Sequence, residues 1–289
     1  MIQIEGLHYA YPTLSESEPS PWVLRGVNLS LERGECVGVM GPTGAGKSTL
    51  ALSLLGIIPQ SFGGRIRGRV RVAGKDARST PVAEMARSVG LVFQDPETQF
   101  LASTVEDELA FGLESFGVPR PEMRRRITRA LADVGMSGQE QRTPHDLSGG
   151  EMQRVAIAAV LAMEPDVLVL DEPAANLDPR GEAEFFALLD ELRRGDTTIL
   201  LFSNNADRVA SLTDRVAVLA EGQIQLEGTA SEIFRQMDRM KAFGLPVPQL
   251  AVLAECLADF TDQPMDYSDP ERAALRISEL LKQAAGRHS

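Results

Sequence analysis

Residues 41 to 49 read Gly41, Pro42, Thr43, Gly44, Ala45, Gly46, Lys47, Ser48 and Thr49, which is the spacing G-x-x-x-x-G-K-[ST]. Glycines at these intervals let successive backbone N–H groups converge on phosphate oxygens, and a helix starting there adds the positive end of its dipole. Lys47 would then reach toward the β- and γ-phosphates, and Ser48 would place its hydroxyl on Mg²⁺. The flanks fit: Cys36-Val37-Gly38-Val39-Met40 is an apolar run of strand length, and residues 48–55 form a helix-like run. Strand, loop and helix in that order are the context this phosphate cradle needs.

Two further clusters carry chemistry. Val167-Leu168-Val169-Leu170-Asp171-Glu172-Pro173 is a buried strand that delivers two acids at its end. Unpaired carboxylates there are costly, which favours Asp171 as a metal ligand and leaves Glu172 to orient or deprotonate the attacking water, although spacing by itself assigns neither role. Leu147-Ser148-Gly149-Gly150-Glu151 opens a helix, with Ser148 and Glu151 at capping-box spacing. The cap does not require two glycines, so the exposed amides of Gly149 and Gly150 form a second candidate anion site. A compact monomer has difficulty bringing two such helix ends to one phosphate; a head-to-tail dimer places this end against the γ-phosphate held by the other chain. Asp178, shortly after the acid pair, is then a candidate contact across the dimer seam.

The elements that must hold these groups follow from apolar periodicity. Residues 1–11 and 23–31 alternate like strands of a small antiparallel sheet edge, with Tyr11 at the end of the first, where its ring can stack on a purine base. Residues 65–74 alternate as a further exposed strand. Residues 89–93 form a buried strand ending at Gln94 and stopped by Pro96, so Gln94 stands at a carboxyl end, where open α/β sheets bind ligands. There it is placed to complete the Mg²⁺ or water environment. Helices over 105–116 and 120–134 form an insert whose stripe Ala110, Phe111, Leu113 and Phe116 suits either its own core or a groove for a partner helix. Residues 197–202 give another core strand, and residues 215–226 an edge hairpin. Helices over 231–243, 249–260 and 269–283 close the chain.

Composition narrows the class. The chain has 289 residues, with 29 Lys and Arg against 41 Asp and Glu, a formal charge of -12. That balance argues against nonspecific nucleic-acid binding and supplies no polybasic lipid anchor. No apolar run of spanning length occurs, so membrane attachment is expected through another protein. Cys36 and Cys256 form neither a metal array nor a disulfide scaffold, and both are expected as buried thiols.

With these three motifs in place, the chain resembles an ABC transporter ATPase over residues 2–234. That resemblance implies an α/β P-loop NTPase fold of ABC ATPase type, with an antiparallel β subdomain, a helical subdomain about 95–162, and a helical extension over 235–289 that contributes to dimerisation. It implies ATP and Mg²⁺ as ligands, with Tyr11 stacking adenine, Gln94 coupling to a membrane subunit, Ser148, Gly149 and Gly150 in the signature, Asp178 in the D-loop, and Glu172 as catalytic base. Phe93-Gln94-Asp95-Pro96-Glu97-Thr98-Gln99 and the stretch at Gly244-Leu245-Pro246-Val247-Pro248-Gln249 are similar to those of energy-coupling factor transporters, which import vitamins, cobalt and nickel. The implied partners are a second, identical or paralogous, ATPase subunit, an integral-membrane coupling subunit and a substrate-binding membrane subunit, with the chain peripheral at the cytoplasmic face of the cell membrane.

One departure stands out. The family usually has Thr-His-Asp at the end of the strand after the acid pair, whereas this chain reads Phe202-Ser203-Asn204-Asn205. An amide donates a hydrogen bond to phosphate but does not take up a proton near neutral pH. Two expectations stand side by side: slow hydrolysis at this chain's own loop while its signature completes a site on a different ATPase, or full activity with Glu172 sufficing. A third is a regulatory or assembly subunit that binds ATP with little or no hydrolysis. A non-transport relative acting in DNA repair or translation fits less well, since the chain has one cassette and no long coiled-coil insert.

Overall fold

The structure is a computed structural model and describes residues 1–13, 20–195, 197–257, 274, 275, 277 and 278. Its strands are β1 (Ile2–Ala10), β2 (Leu24–Leu31), β3 (Cys36–Met40), β4 (Arg65–Val72), β5 (Lys75–Asp76), β6 (Val89–Val92), β7 (Val167–Asp171), β8 (Thr198–Phe202), β9 (Arg215–Ala220) and β10 (Gln223–Gly228). Between and after them come α1 (Lys47–Leu54), α2 (Ile57–Gln60), α3 (Val82–Met85), α4 (Val105–Ser115), α5 (Arg120–Asp133), α6 (Gly149–Ala162), α7 (Pro179–Arg194), α8 (Ala206–Leu212), α9 (Ala230–Phe234), α10 (Met237–Ala242) and α11 (Gln249–Leu257).

Two sheets result. A six-stranded sheet has the order β10-β9-β3-β8-β7-β6, with β9, β3, β8, β7 and β6 parallel and β10 antiparallel at the edge. Every residue of β3, β7 and β8 is buried, because helices or the second sheet cover both faces. This explains why these strands read as continuous apolar runs. The second sheet, β2-β1-β4-β5, is antiparallel throughout, and β1 and β2 alternate because only one face is covered. Ile2, Ile4 and Tyr9 of that face share a core with Leu50 and Leu54 of α1 and Val37 and Val39 of β3.

On the other side of the parallel sheet, Leu109 and Leu113 of α4 and Ile127 and Leu131 of α5 pack with Val155 and Ile157 of α6. Burying each such side chain contributes roughly 1.5–3 kcal/mol. Of the stripe expected along this insert, Leu113 is core and Phe111 is 54 % exposed. The 16-residue α7 escaped the sequence reading, although Asp178 caps it, Pro179 opens it, and Phe185, Phe186, Leu188 and Leu189 mark its buried face.

The single helix expected over 231–243 is two, α9 and α10, separated at Gln236, whose backbone is non-helical (φ −90°, ψ 48°). Phe234, Met240, Leu245 and Ala251 pack with Val216 and Val218 of β9, and Gln249 N donates to Asp207 Oδ1 at 2.9 Å. The helix expected over 269–283 lies outside the described residues apart from Ala274, Leu275, Ile277 and Ser278, which are helical.

The two thiols differ, contrary to the expectation that both are buried. Cys36 is buried in β3 and Cys256 is exposed on α11, because Ala251 and Ala254 take the inward positions of that helix. Burial first, then the nearby Asp214 charge, pushes the Cys36 thiol up to about 12. In the isolated chain, iodoacetamide should therefore modify Cys256 rapidly and Cys36 only after denaturation, as located by peptide mass spectrometry; alkylation of native Cys36 at a comparable rate would contradict this placement.

Candidate functional site

The carboxyl ends of β3, β6, β7 and β8 open into one cavity of about 410 Å³, and Lys47, Ser48, Gln94, Asp171, Glu172 and Asn204 line it. The loop from β3 to α1 forms its floor. Gly46 has φ 106°, a left-handed conformation that starts α1 without a side-chain cap and leaves the helix amides open. Gly41 is fixed by space: a Cβ there would lie 2.3 Å from the Leu219 carbonyl oxygen. Thr43, Gly44 and Thr49 also line the cavity, as does Pro42, while Ala45 is buried.

Lys47 is 9 % exposed, and its ammonium donates to the Gly41 carbonyl at 2.6 Å and lies 3.4 Å from Glu172 Oε1. Glu172 Oε2 accepts from the Asn204 backbone N at 3.4 Å, and Asn204 Oδ1 accepts from Gly41 N at 3.1 Å. These contacts close a ring joining the phosphate loop, β7 and β8. Glu172 itself has φ 47°, and its N–H donates to the Phe202 carbonyl at 2.9 Å. A left-handed conformation at a residue with a side chain costs of order 1–3 kcal/mol and persists where neighbours over-determine it. Here the strain turns the Glu172 carboxylate away from its strand and toward Lys47.

Asp171, the last residue of β7, is 6 % exposed. Burial pushes its carboxyl above the ordinary value, while a hydrogen bond from Ser48 and the Lys47 charge pull it back. A desolvated carboxylate beside a hydroxyl is a hard-oxygen pair that suits Mg²⁺, which takes one or two protein oxygens and completes its shell with phosphates and water. Among the described residues no group of three or more His, Cys, Asp or Glu could hold a metal, so an all-protein cage is not the arrangement here.

The remaining expected residues fall in three places. Gln94 is exposed at the cavity's edge, past β6 and before the short turn Pro96–Thr98. Tyr11 does not line the cavity; its hydroxyl is 3.1 Å from Thr49 Oγ1, and its ring meets Tyr9 edge-on at 4.9 Å. Val23 and Ala175 do line it and were missed by sequence reasoning, because small apolar residues carry no chemical signal. Ser148, Gly149, Gly150 and Asp178 border a separate groove of about 590 Å³, which shares no lining residue with the first cavity. Within one chain the two glycine-rich helix starts therefore line different cavities. Ser148 and Glu151 form a complete capping box, and Asp178 Oδ1 accepts from Gly181 N at 2.6 Å as the cap of α7.

The sequence profile of the family described as "ABC transporter" matches residues 24–175. The energy-coupling factor transporter ATP-binding protein EcfA of Methanocaldococcus jannaschii is 38% identical over 269 residues, covering 92% of each chain. EcfA of Methanothermobacter thermautotrophicus is 42% identical over 253 residues, or 88% of this chain and 78% of the relative. Among solved structures, cbiO1 from Clostridium perfringens, part of the ABC transporter complex cbiONQ, superposes with a TM-score of 0.72 at 33% identity, covering 88% of this chain and 98% of that one. A dimeric ATP-binding cassette in a post-hydrolysis state with ADP and Pi superposes with a TM-score of 0.66 at 25% identity, covering 80% and 99%.

The raised Asp171 carboxyl has a measurable consequence. The folded chain keeps that proton to higher pH than the unfolded chain, so Asp171's contribution to stability falls as pH rises from the ordinary carboxylate value through the raised one. Asp171→Asn removes this loss. At neutral pH the variant should melt above wild type, and the difference should vanish below the ordinary carboxylate range. Mg²⁺-dependent ATP binding, measured by calorimetry, should weaken by about tenfold or more. Equal melting temperatures at neutral pH would remove the desolvation argument.

Proposed function

The chain belongs to the ABC transporter ATPases, and on that premise we propose that it energises import of a vitamin or transition-metal ion as the ATP-hydrolysing subunit of an energy-coupling factor type transporter. The observation that carries this reading is the ring of Lys47, Gly41, Asn204 and Glu172 around one cavity, with the Ser148 turn facing a different groove. The likeness to EcfA proteins and to cbiO1 over nearly the whole chain supports the transporter type.

In this reading residues 1–234 form the ATP-binding domain, with its helical subdomain at about 95–162, and residues 235–289 a helical extension for dimerisation. The chain sits peripherally at the cytoplasmic face of the cell membrane, docked on an integral-membrane coupling subunit beside a substrate-binding membrane subunit. No helix among the described residues is long and apolar enough to cross a membrane. Gln94, with the exposed Leu101 and Phe111 on the helical insert, faces the coupling subunit.

ATP lies between the phosphate loop of one subunit and the Ser148 turn of the other. Free backbone amides among residues 43–49 bind the phosphates, Tyr11, outside the cavity's lining but tied to Thr49, packs against an adenine that extends beyond it, and Lys47 exchanges the Gly41 carbonyl for phosphate oxygen. Ser48, Asp171 and Gln94 would hold Mg²⁺, which would supply charge neutralisation at the phosphates. Glu172 accepts a proton from the water that attacks the γ-phosphate, and ADP leaves as the β–γ bridge breaks. Asp178 contributes at the seam between subunits. Asn204 occupies the place of the usual histidine, and its Oδ1 is committed to Gly41 N, so its remaining polar group is a neutral amide donor. This favours slow hydrolysis at the chain's own loop.

Phosphate release from the chain, alone and with its second ATPase subunit, tests both points. Glu172→Gln should lower turnover by about a hundredfold or more and leave an ATP-held dimer in light scattering; turnover at the wild-type rate would remove Glu172 from the mechanism. Asn204→His should raise turnover at this loop by about tenfold. Equal rates for wild type and Asn204→His would overturn the slow-site reading, and ATP binding without phosphate release in either form would make the chain a regulatory or assembly subunit.

A further inference from the structure

The Ser148 turn carries a tie that capping alone does not require. Ser148 Oγ accepts from Glu151 N at 3.3 Å, and Glu151 Oε2 accepts from Ser148 N at 2.8 Å, which completes the box with one carboxylate oxygen. The other oxygen, Oε1, accepts from Arg142 Nη1 at 2.7 Å. The same guanidinium donates to Gln139 Oε1 at 3.2 Å and to the Asp146 carbonyl at 2.8 Å. One planar fork thus spans the loop ahead of α6, a geometry that lysine's point charge does not reproduce.

Arg142 is itself anchored from the opposite side. Val105 N donates to the Arg142 carbonyl at 3.0 Å, Glu106 N to the Glu140 carbonyl at 2.9 Å, and Gln141 Nε2 to Glu106 Oε2 at 2.8 Å, so the segment is seated on the start of α4. Glu108 of α4 in turn accepts from Leu101 N at 2.8 Å and Ala102 N at 2.9 Å. Leu101 is 76% exposed at the end of the loop that begins with Gln94. An unbroken run of hydrogen bonds and helix backbone therefore joins that exposed apolar residue to Ser148.

We infer that Arg142 is a positioning residue for the Ser148 turn: it fixes the Glu151 carboxylate, which fixes the Ser148 backbone and the direction in which the Ser148 hydroxyl and the Gly149 and Gly150 amides are presented. This rests on the proposed site between subunits. Ser148 Oγ acts as acceptor within the box, so its hydroxyl proton stays free for a phosphate oxygen of the opposing subunit's ATP. Hydrogen bonds from the Ser148 backbone first, and from Arg142, hold the Glu151 carboxyl below its ordinary value, so it stays ionised for this task. Both partners of the Arg142–Glu151 pair are partly exposed, and such a pair adds little to overall stability. What it supplies is orientation.

The test uses the full-length chain. In Arg142→Ala, amide hydrogen exchange at Ser148 and Glu151 without nucleotide should quicken by about tenfold, while the interior of α6 and the melting temperature stay as in wild type. With the second ATPase subunit present, KM for ATP should rise by about tenfold and kcat change by less than about threefold, because the turn holds phosphate in ground and transition states alike. Arg142→Lys should recover part of the KM, since it keeps the charge opposite Glu151 and loses the fork. Unchanged exchange at Ser148 in Arg142→Ala overturns the positioning role, whatever KM does. Faster exchange with unchanged KM leaves that role standing and removes the reading in which this turn meets nucleotide.

Discussion

A lysine ammonium taken out of water must find acceptors or give up its charge, and Lys47 meets that demand with the Gly41 carbonyl and Glu172. Both acceptors arise from tertiary structure around the loop. Gly41 is pressed against the Leu219 carbonyl, where only glycine fits, and Glu172 reaches Lys47 because its backbone turns left-handed at the end of β7. Asn204, just past the end of β8, the strand between β3 and β7, bonds to both. Phosphate oxygens are stronger acceptors than a peptide carbonyl, so the same ring that satisfies Lys47 without nucleotide is one that nucleotide reorganises.

The second candidate anion site obeys a different constraint. Its amides belong to a helix start, which needs only a local cap, and the capping box satisfies that completely. Orientation relative to anything else must come from outside the helix, and the insert supplies it through Arg142. The chain's charge of -12 does not oppose phosphate binding at the two ends as proposed, because aligned backbone amides act within a few ångströms, whereas net charge is screened beyond the Debye length. The two ends line separate cavities on one chain, so on the proposed reading a complete site needs two ATPases.

Much of the fold was legible where a pattern is local. Strands β3, β7 and β8 are buried on both faces and read as unbroken apolar runs; β1 and β2 are covered on one face and alternate. The cap at Ser148 announced its helix through residue types alone. The cap at Asp178 with Pro179, which opens α7, is equally local, since both residue types dictate a helix start. The split between α9 and α10 and the exposure of Cys256 were not legible, since both depend on which side of a short helix meets β9 and its neighbours.

By itself the sequence determined the phosphate loop, the acid pair and the capped glycine turn, because each is a contiguous stretch whose residue types dictate its own backbone and chemistry. It also set the family, and with it the expectation of ATP and Mg²⁺. Only the tertiary structure decided what these stretches touch. The order β3-β8-β7 cannot be read from a chain in which crossover helices permit other orders, yet it is this order that puts Asn204 between Gly41 and Glu172. Val23, the Tyr11 hydroxyl on Thr49, and Arg142 on Glu151 likewise depend on adjacency between segments separated in sequence. Residue type limits the chemistry a side chain can do; packing determines which partner it does it with.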